Sequence, residues 1–210
     1  MALHIDVVSD VICPWCFIGK RRLEKAITAQ QHEVQVRWLP FQLNPMMPKE
    51  GISRREYRTK KFGSWERSLE LDDRVIEVGK AERINFAFER IERTPNTLDA
   101  HRLIWLADKE GAQGAVVEAL FRAYFTDGRD ISKRQTLLDV VAEAGLDRAR
   151  ADGVLNRDDG LEAMKEAEEL ARRLRVEGVP FFVVNNKITL SGAQQPEAFL
   201  DAFRKAGGTE

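Results

Sequence analysis

Apolar and polar positions alternate over "LHIDVVS" (residues 3–9), which puts Leu3, Ile5 and Val7 on one face, as a half-buried strand requires. "VQVRWLPF" (34–41) reads the same way. Between them the period lengthens. From Pro14 to about Ala29 the positions Cys16, Leu23 and Ile27 recur at helical spacing, with Lys20, Arg21 and Arg22 mostly facing elsewhere. The chain therefore opens as a β-α-β unit.

The next strand-like run is "PFFVVN" (180–185), far beyond the dozen or so residues that a crossover needs. The tract from 43 to 179 carries helix punctuation throughout. Ser53 and Ser64 are candidate N-caps, and four apolar-periodic runs close at Gly111, Gly128, Gly145 and Gly178, where glycine tolerates a left-handed backbone. An inserted all-helical subdomain over 43–175 is the expectation. After it, two apolar runs flank Asn185-Asn186-Lys187, a hairpin signal because Asn accepts positive φ. Pro196 suits a first helical position, and the last helix turns Phe199, Leu200 and Phe203 inward. The predicted fold is α/β: a discontinuous domain, 1–42 and 176–210, interrupted by helices.

Charge removes several function classes. The 33 basic residues nearly balance 34 acidic ones, so no overall field draws the chain to nucleic acid or to an anionic membrane. The opening "MALHIDVVSD" places acidic residues where a signal peptide is apolar, and no run approaches the length of a membrane span. A cytoplasmic protein with neither membrane nor nucleic-acid partner is expected. Its oligomeric state is not readable from these features.

In such a compartment thiols are kept reduced, which gives weight to the two cysteines, Cys13 and Cys16, in "VVSDVICPWCFIGKRR". Cys13 falls where the first strand gives way to the helix, with Pro14 at the first helical position. Its sulfur then sits among unpaired N–H groups at the positive end of the helix dipole, where a thiolate is stabilised. Cys16, one turn on, shares its stripe with Leu23 and Ile27 and faces inward. The expected division is an exposed attacking thiol at Cys13 and a shielded resolving thiol at Cys16, as exchange through a mixed disulfide requires. A closed zinc site needs four ligands, and beyond the two cysteines only His4, His32 and His101 are scattered along the chain, so no metal is expected. Covalent haem attachment would need histidine where Phe17 stands, and an iron–sulfur cluster would need four thiolates.

"VEGVPFFVVNN" sets Val179 and Pro180 immediately before a strand. Taken alone, that peptide bond is expected to be trans, and a proline opening a strand is ordinary. The order of features, C-x-x-C at the first helix and Val-Pro before the strand that follows the insertion, resembles the thioredoxin superfamily. With so large a helical insertion the chain resembles the DsbA-like branch. Within it, "DVVSDVICPWCFIGKRRLEKA", "RTPNTLDAHRLIWLA" and "GVPFFVVNNKITLSGAQQPEAFL" are similar to FrnE-type oxidoreductases of the bacterial cytoplasm. The resemblance implies a thioredoxin-like fold and dithiol–disulfide oxidoreductase or isomerase activity on protein or small-molecule disulfides. It also implies Cys13 as nucleophile, Cys16 as resolver, Pro180 as a cis-proline packed on the pair, and the Val179 backbone as the strand-like contact for a client. No bound cofactor is implied; glutathione or another thiol reductant would restore the reduced pair.

The periplasmic members carry Cys-Pro-His-Cys, and this chain has Trp15 where their histidine helps to hold the thiolate. With that partner lost, a less oxidising pair is expected, nearer the glutaredoxins at about −200 to −230 mV. Two other readings share the fold. Hydroxychromene-carboxylate isomerases and kappa-class glutathione transferases activate a glutathione thiol with a serine at the first cysteine position, which intact Cys13 and Cys16 disfavour. A non-catalytic redox-sensing module is the third.

Around the motif, His101 lies on an apolar helical stripe with Leu98 and Trp105, which reads first as a core or lid histidine and second as a residue facing Cys13. Asp10 reads as a solvated strand-end carboxylate or, if buried, as a proton shuttle for the resolving thiol. Lys20, Arg21 and Arg22 read as a solvated face, with attraction of glutathione carboxylates as the alternative. The adjacent methionines of "NPMMP" (44–48) suit packing at the junction or an adaptable client surface.

Overall fold

A computed structural model describes residues 2–207. Strand β1 (Leu3–Ser9) is central: β2 (Val34–Pro40) lies parallel to it on one side, and β5 (Phe181–Val184) lies antiparallel on the other. Strand β6 (Ile188–Ser191) completes the sheet in the order β2-β1-β5-β6. Helix α1 (Pro14–Thr28) supplies the crossover from β1 to β2, and α9 (Pro196–Gly207) closes the chain. The alternation read in β1 is real, with Leu3, Ile5 and Val7 buried; Val8 and Ser9 are buried as well, because the sheet end beside α1 is covered on both faces. The β5–β6 turn has Asn185 and Asn186 both at positive φ, the geometry that favours Asn in a two-residue hairpin.

Helices α2 (Arg54–Phe62), α3 (Trp65–Ala81), α4 (Leu98–Lys109), α5 (Gln113–Phe125), α6 (Arg134–Glu143), α7 (Arg148–Asn156) and α8 (Leu161–Arg173) fill the long connection. Besides them it holds a two-residue antiparallel pair, β3 (Ile52–Ser53) with β4 (Arg93–Thr94), and a single 3₁₀ turn at Phe88–Arg90. Both serines cap helices, but only Ser64 uses its side chain, accepting from the Arg67 N–H. Gly111, Gly128 and Gly145 take positive φ after α4, α5 and α6. Gly178 does not. Helix α8 ends at Arg173, and Arg175 takes the left-handed conformation instead, so that the Val176 N–H reaches back to the Ala171 carbonyl. Helix α7, capped by the Asp147 side chain, has no counterpart among the runs read from the sequence.

The helical tract is fastened to α1 by both apolar and charged contacts. Phe17, next to Cys16, stacks on Phe121 of α5 at 5.1 Å between centroids and meets Phe86 edge-on at 6.1 Å. The basic run on α1 is not a solvated face. Lys20 and Arg22 are buried: Arg22 pairs with Glu82 at 2.7 Å, Lys25 joins the same carboxylate, and Lys20 and Arg21 pair with Glu118. Local periodicity cannot foresee this, because both carboxylates come from distant segments. Burial pushes the Glu82 and Glu118 carboxyls up, but hydrogen bonds from Lys25 and Arg22, and from Arg21 and Lys20, outweigh it and hold both groups below the usual range.

Carboxyls depressed in the fold contribute stability above their unfolded pKa, about 4.3, and lose that contribution as pH falls through the folded value. Unfolding free energy should therefore drop as pH falls below about 4.3. A Glu82→Gln/Glu118→Gln variant should show a shallower acid decline in denaturant titrations run across that window.

Candidate active site

Cys13 is the N-cap of α1, in extended conformation at φ −94° and ψ 112°, and Pro14 opens the helix. Pro14 has no N–H to leave unpaired, which is why the turn from β1 into α1 tolerates it. The Cys13 N–H bonds to the Asp10 carbonyl and the Cys16 N–H to the Cys13 carbonyl, so the motif is wound tightly onto the end of β1. Both cysteines are free thiols. Cys16 is 0% exposed, as its stripe requires, but Cys13 is 6% exposed and not open to solvent as expected. The reason is tertiary. Cys13 lines a cavity of about 460 Å³ walled by α2, α3 and the Phe88–Arg90 turn, a neighbour that a one-dimensional reading of the helix cannot supply. Trp15, at 40% exposure, is the outward-facing member of the motif.

Across from the motif, the Val179–Pro180 peptide is cis. The Cys13 thiol donates to the Val179 carbonyl at 3.5 Å. Pro180 is buried, and the sheet ladder begins only at Phe181, so Val179 lies beside Cys13 just outside the ladder. Gly19 allows this approach. A Cβ there would stand 2.9 Å from Pro180 Cγ and 3.1 Å from Phe182 Cζ. The structure thus brings together Cys13, Pro14, Trp15, Cys16, Val179 and Pro180.

Asp10 is 0% exposed, which corrects its reading as a solvated strand-end group. One carboxylate oxygen accepts the Leu43 N–H at 2.8 Å. The other lies 3.3 Å from His101 Nε2 without an aligned hydrogen bond. His101 Nε2 is closer to the Phe41 carbonyl, at 3.1 Å; a carbonyl only accepts, so that nitrogen carries the proton. His101 is buried beside Asp10, and no hydrogen bond joins it to either sulfur among the described residues. Met47 is buried, as packing at the junction requires, while Met46 projects into solvent.

Burial pushes the Cys16 thiol well above its ordinary range. Its hydrogen bond with Cys13 and that neighbour's charge act in the same direction, while the Ser9 hydroxyl and the Asp10 backbone oppose them more weakly. Behind the sheet end lies a thiol that resists ionisation, in contact with one that faces a cavity.

A family model described as the DSBA-like thioredoxin domain matches residues 4–204. The chain belongs to the DsbA-like thioredoxin family. A probable DsbA oxidoreductase from Streptomyces coelicolor superimposes with a TM-score of 0.92 at 32% identity, covering 99% of this chain and 91% of that one. The cytosolic disulfide reductase DsbM of Pseudomonas aeruginosa, solved with GSH, has the same fold, with a TM-score of 0.67 at 22% identity over 98% of this chain and all of its own. The Bacillus subtilis protein YwbO, itself uncharacterised, is 29% identical over 98% of this chain and 96% of its own length. The fold, with its helical insertion, is thus DsbA-like. No helix among the described residues is long and apolar enough to cross a membrane.

The arginine-rich cavity wall is the part of the site that sequence reasoning missed. Arg54, Arg58 and Lys61 stand on α2 and line the cavity, a placement that the charge pattern of the stretch does not by itself reveal. The only available signal was basic residues interleaved with Tyr57 and Phe62, a pattern shared by many surface helices.

Proposed function

We propose that the chain is a thiol–disulfide oxidoreductase of the FrnE type, working through the Cys13–Cys16 pair in a reducing, cytoplasmic setting. The observation that carries this reading is the unequal environment of the two sulfurs: Cys13 at the head of α1 against the Val179 carbonyl and a cavity, Cys16 sealed behind it. In the proposed sequence Cys13 attacks a substrate disulfide, one substrate sulfur leaves with the bonding electrons, and a mixed disulfide remains. Cys16 then loses its proton and attacks the Cys13 sulfur, releasing the second substrate thiol. Val179 offers its backbone to the bound substrate segment and Pro180 packs against the pair. Asp10, buried with one carboxylate oxygen that accepts no hydrogen bond, takes the proton of the resolving thiol, and His101 lies beside that oxygen at 3.3 Å. Trp15, which carries no charge, leaves the pair nearer the glutaredoxins than the periplasmic oxidants. Reduction or isomerisation is the favoured direction, with glutathione or another thiol as electron donor.

The test is turnover of insulin disulfides by the reduced chain, together with the equilibrium potential of the pair against glutathione. A potential close to about −120 mV, that of the strongly oxidising periplasmic type, would overturn the direction proposed, and absence of turnover with both insulin and small disulfides would overturn the reading. Because burial holds Cys16 protonated, resolution of a preformed mixed disulfide should accelerate by about tenfold per pH unit from neutral to mildly alkaline pH, following the Cys16 thiolate fraction. Stopped-flow release of the second thiol measures it, and a pH-independent rate would contradict the assignment of the resolving role.

A further inference from the structure

The cavity beside Cys13 has the size of a small-molecule site, about 460 Å³, within the range of ligand pockets generally. Its inner surface is largely apolar, formed by Phe62, Val75, Phe88, Ile91 and Phe125. The charges around it do not balance. Arg54, Arg58, Lys61 and Arg74 line it, and Asp72 is the only carboxylate among the lining residues. Arg54 and Arg58 each reach an oxygen of Asp72 at 2.6 Å, so one carboxylate serves two guanidiniums. Arg54 is 5% and Asp72 4% exposed. Neither Lys61 nor Arg74 has a carboxylate within ion-pair distance among the described residues.

Arg54 is buried and Arg58 partly so, sharing one carboxylate, while Lys61 and Arg74 are exposed at the rim, so the unmatched positive charge stands at the mouth of the cavity, where it draws an anionic group. Burial, the largest influence, lowers the Arg58 guanidinium from its ordinary value; Arg54 adds to the effect, and Asp72 opposes both. Arg58 also stacks over Phe62 at 4.6 Å, so that cation and aromatic wall are presented together. With Cys13 only 6% exposed, a bulky folded client meets the sulfur less readily than a compact ligand that enters the cavity.

We propose that this cavity binds small aromatic or otherwise apolar disulfides that carry a carboxylate, and presents their sulfur to Cys13. The assignment rests on the dithiol reading above and names its substrate class. The ligand's apolar body lies on the phenylalanine wall and its carboxylate meets Arg58, Lys61 and Arg74. Cys13 thiolate attacks one ligand sulfur, and the other leaves as thiolate with the electron pair. Cys16 then displaces the second thiolate and gives up its proton, leaving an oxidised Cys13–Cys16 pair and a ligand reduced by two electrons to two thiols. No other oxidant or reductant enters a single turnover.

The experiment compares the reduced chain's single-turnover rate constants with dithiobis-nitrobenzoate, an aromatic disulfide bearing one carboxylate per ring, and with uncharged dithiodipyridine. Each is divided by the rate constant of a free small thiol with the same reagent. The normalised preference for the carboxylate reagent should be roughly tenfold, the worth of one charge-assisted hydrogen bond, with saturation as its concentration rises. Arg58→Gln should largely remove it. Because Arg58 also holds Asp72, the rim variant Lys61→Gln/Arg74→Gln serves as an independent check and should lower the preference several-fold. A wild-type preference equal to that of the free thiol, or one unmoved by the rim variant, overturns the cavity assignment. If insulin is still reduced in that case, the dithiol reading survives and only the substrate class falls; if neither reagent nor insulin reacts, both fall together.

Discussion

Cys13→Ser will abolish disulfide turnover, lowering the rate by about 10³-fold or more, whereas Cys16→Ala will leave the first attack intact and trap the substrate on the protein. The asymmetry follows from position. Cys13 is the sulfur at the head of α1 that lines the cavity and faces Val179, and a serine hydroxyl does not supply a comparable nucleophile at neutral pH. Cys16 is fully enclosed, and its only plausible target is the sulfur of its neighbour. Incubating Cys16→Ala with a disulfide substrate should therefore accumulate a one-to-one mixed disulfide at Cys13, read by intact mass and removed by dithiothreitol. Exchange of the two roles, with Cys13→Ser forming the adduct at Cys16, would reverse the assignment and would require Cys16 to become exposed.

The parts of this site legible in the sequence are those set by short-range chemistry. Proline after Cys13 marks the start of a helix because only a first-turn position spares its missing N–H; Cys16 with Leu23 shares one helical face; Asn185 and Asn186 accept the positive φ of a hairpin turn. Where reading failed, the deciding neighbour came from far along the chain. Asp10 is buried because Leu43 and His101 close over the end of β1. The run Lys20-Arg21-Arg22 is drawn inward by Glu82 and Glu118, and Cys13 is enclosed by α2 and α3. Charge type alone could not distinguish a solvated run from a docking surface, since both look alike until a carboxylate is placed opposite. The end of α8 differs for a local reason: the Val176 N–H returns to the Ala171 carbonyl, a closure that sets Arg175 in the left-handed conformation three residues before Gly178.

Gly19→Val should both destabilise the fold and slow disulfide exchange, although it touches no reacting atom. Glycine inside a helix costs about 1 kcal/mol relative to alanine, so its presence on α1 calls for a compensating contact, and the close approach of Pro180 and Phe182 provides one. Any Cβ there must displace a buried proline ring or a buried phenylalanine, and overpacking of this kind costs about 1–3 kcal/mol. For Gly19→Ala the gain in helix propensity offsets part of that cost. For Gly19→Val the two extra methyl groups add strain while the propensity gain shrinks, and a net loss of about 3 kcal/mol is expected. In a chain of this size that lowers Tm by about 6–12 °C. The functional effect arises by displacement: if Pro180 moves off α1, the Val179 carbonyl moves away from the Cys13 sulfur it now meets at 3.5 Å, and the rate of exchange at Cys13 should fall by about tenfold or more. Gly114→Val on α5, where an added Cβ meets nothing within 4 Å, is the matched control: it should escape the overpacking loss and leave exchange near wild type. A Gly19→Val protein that loses stability yet exchanges disulfides at the wild-type rate would show that the contact between α1 and Pro180 holds the fold together without positioning the substrate backbone.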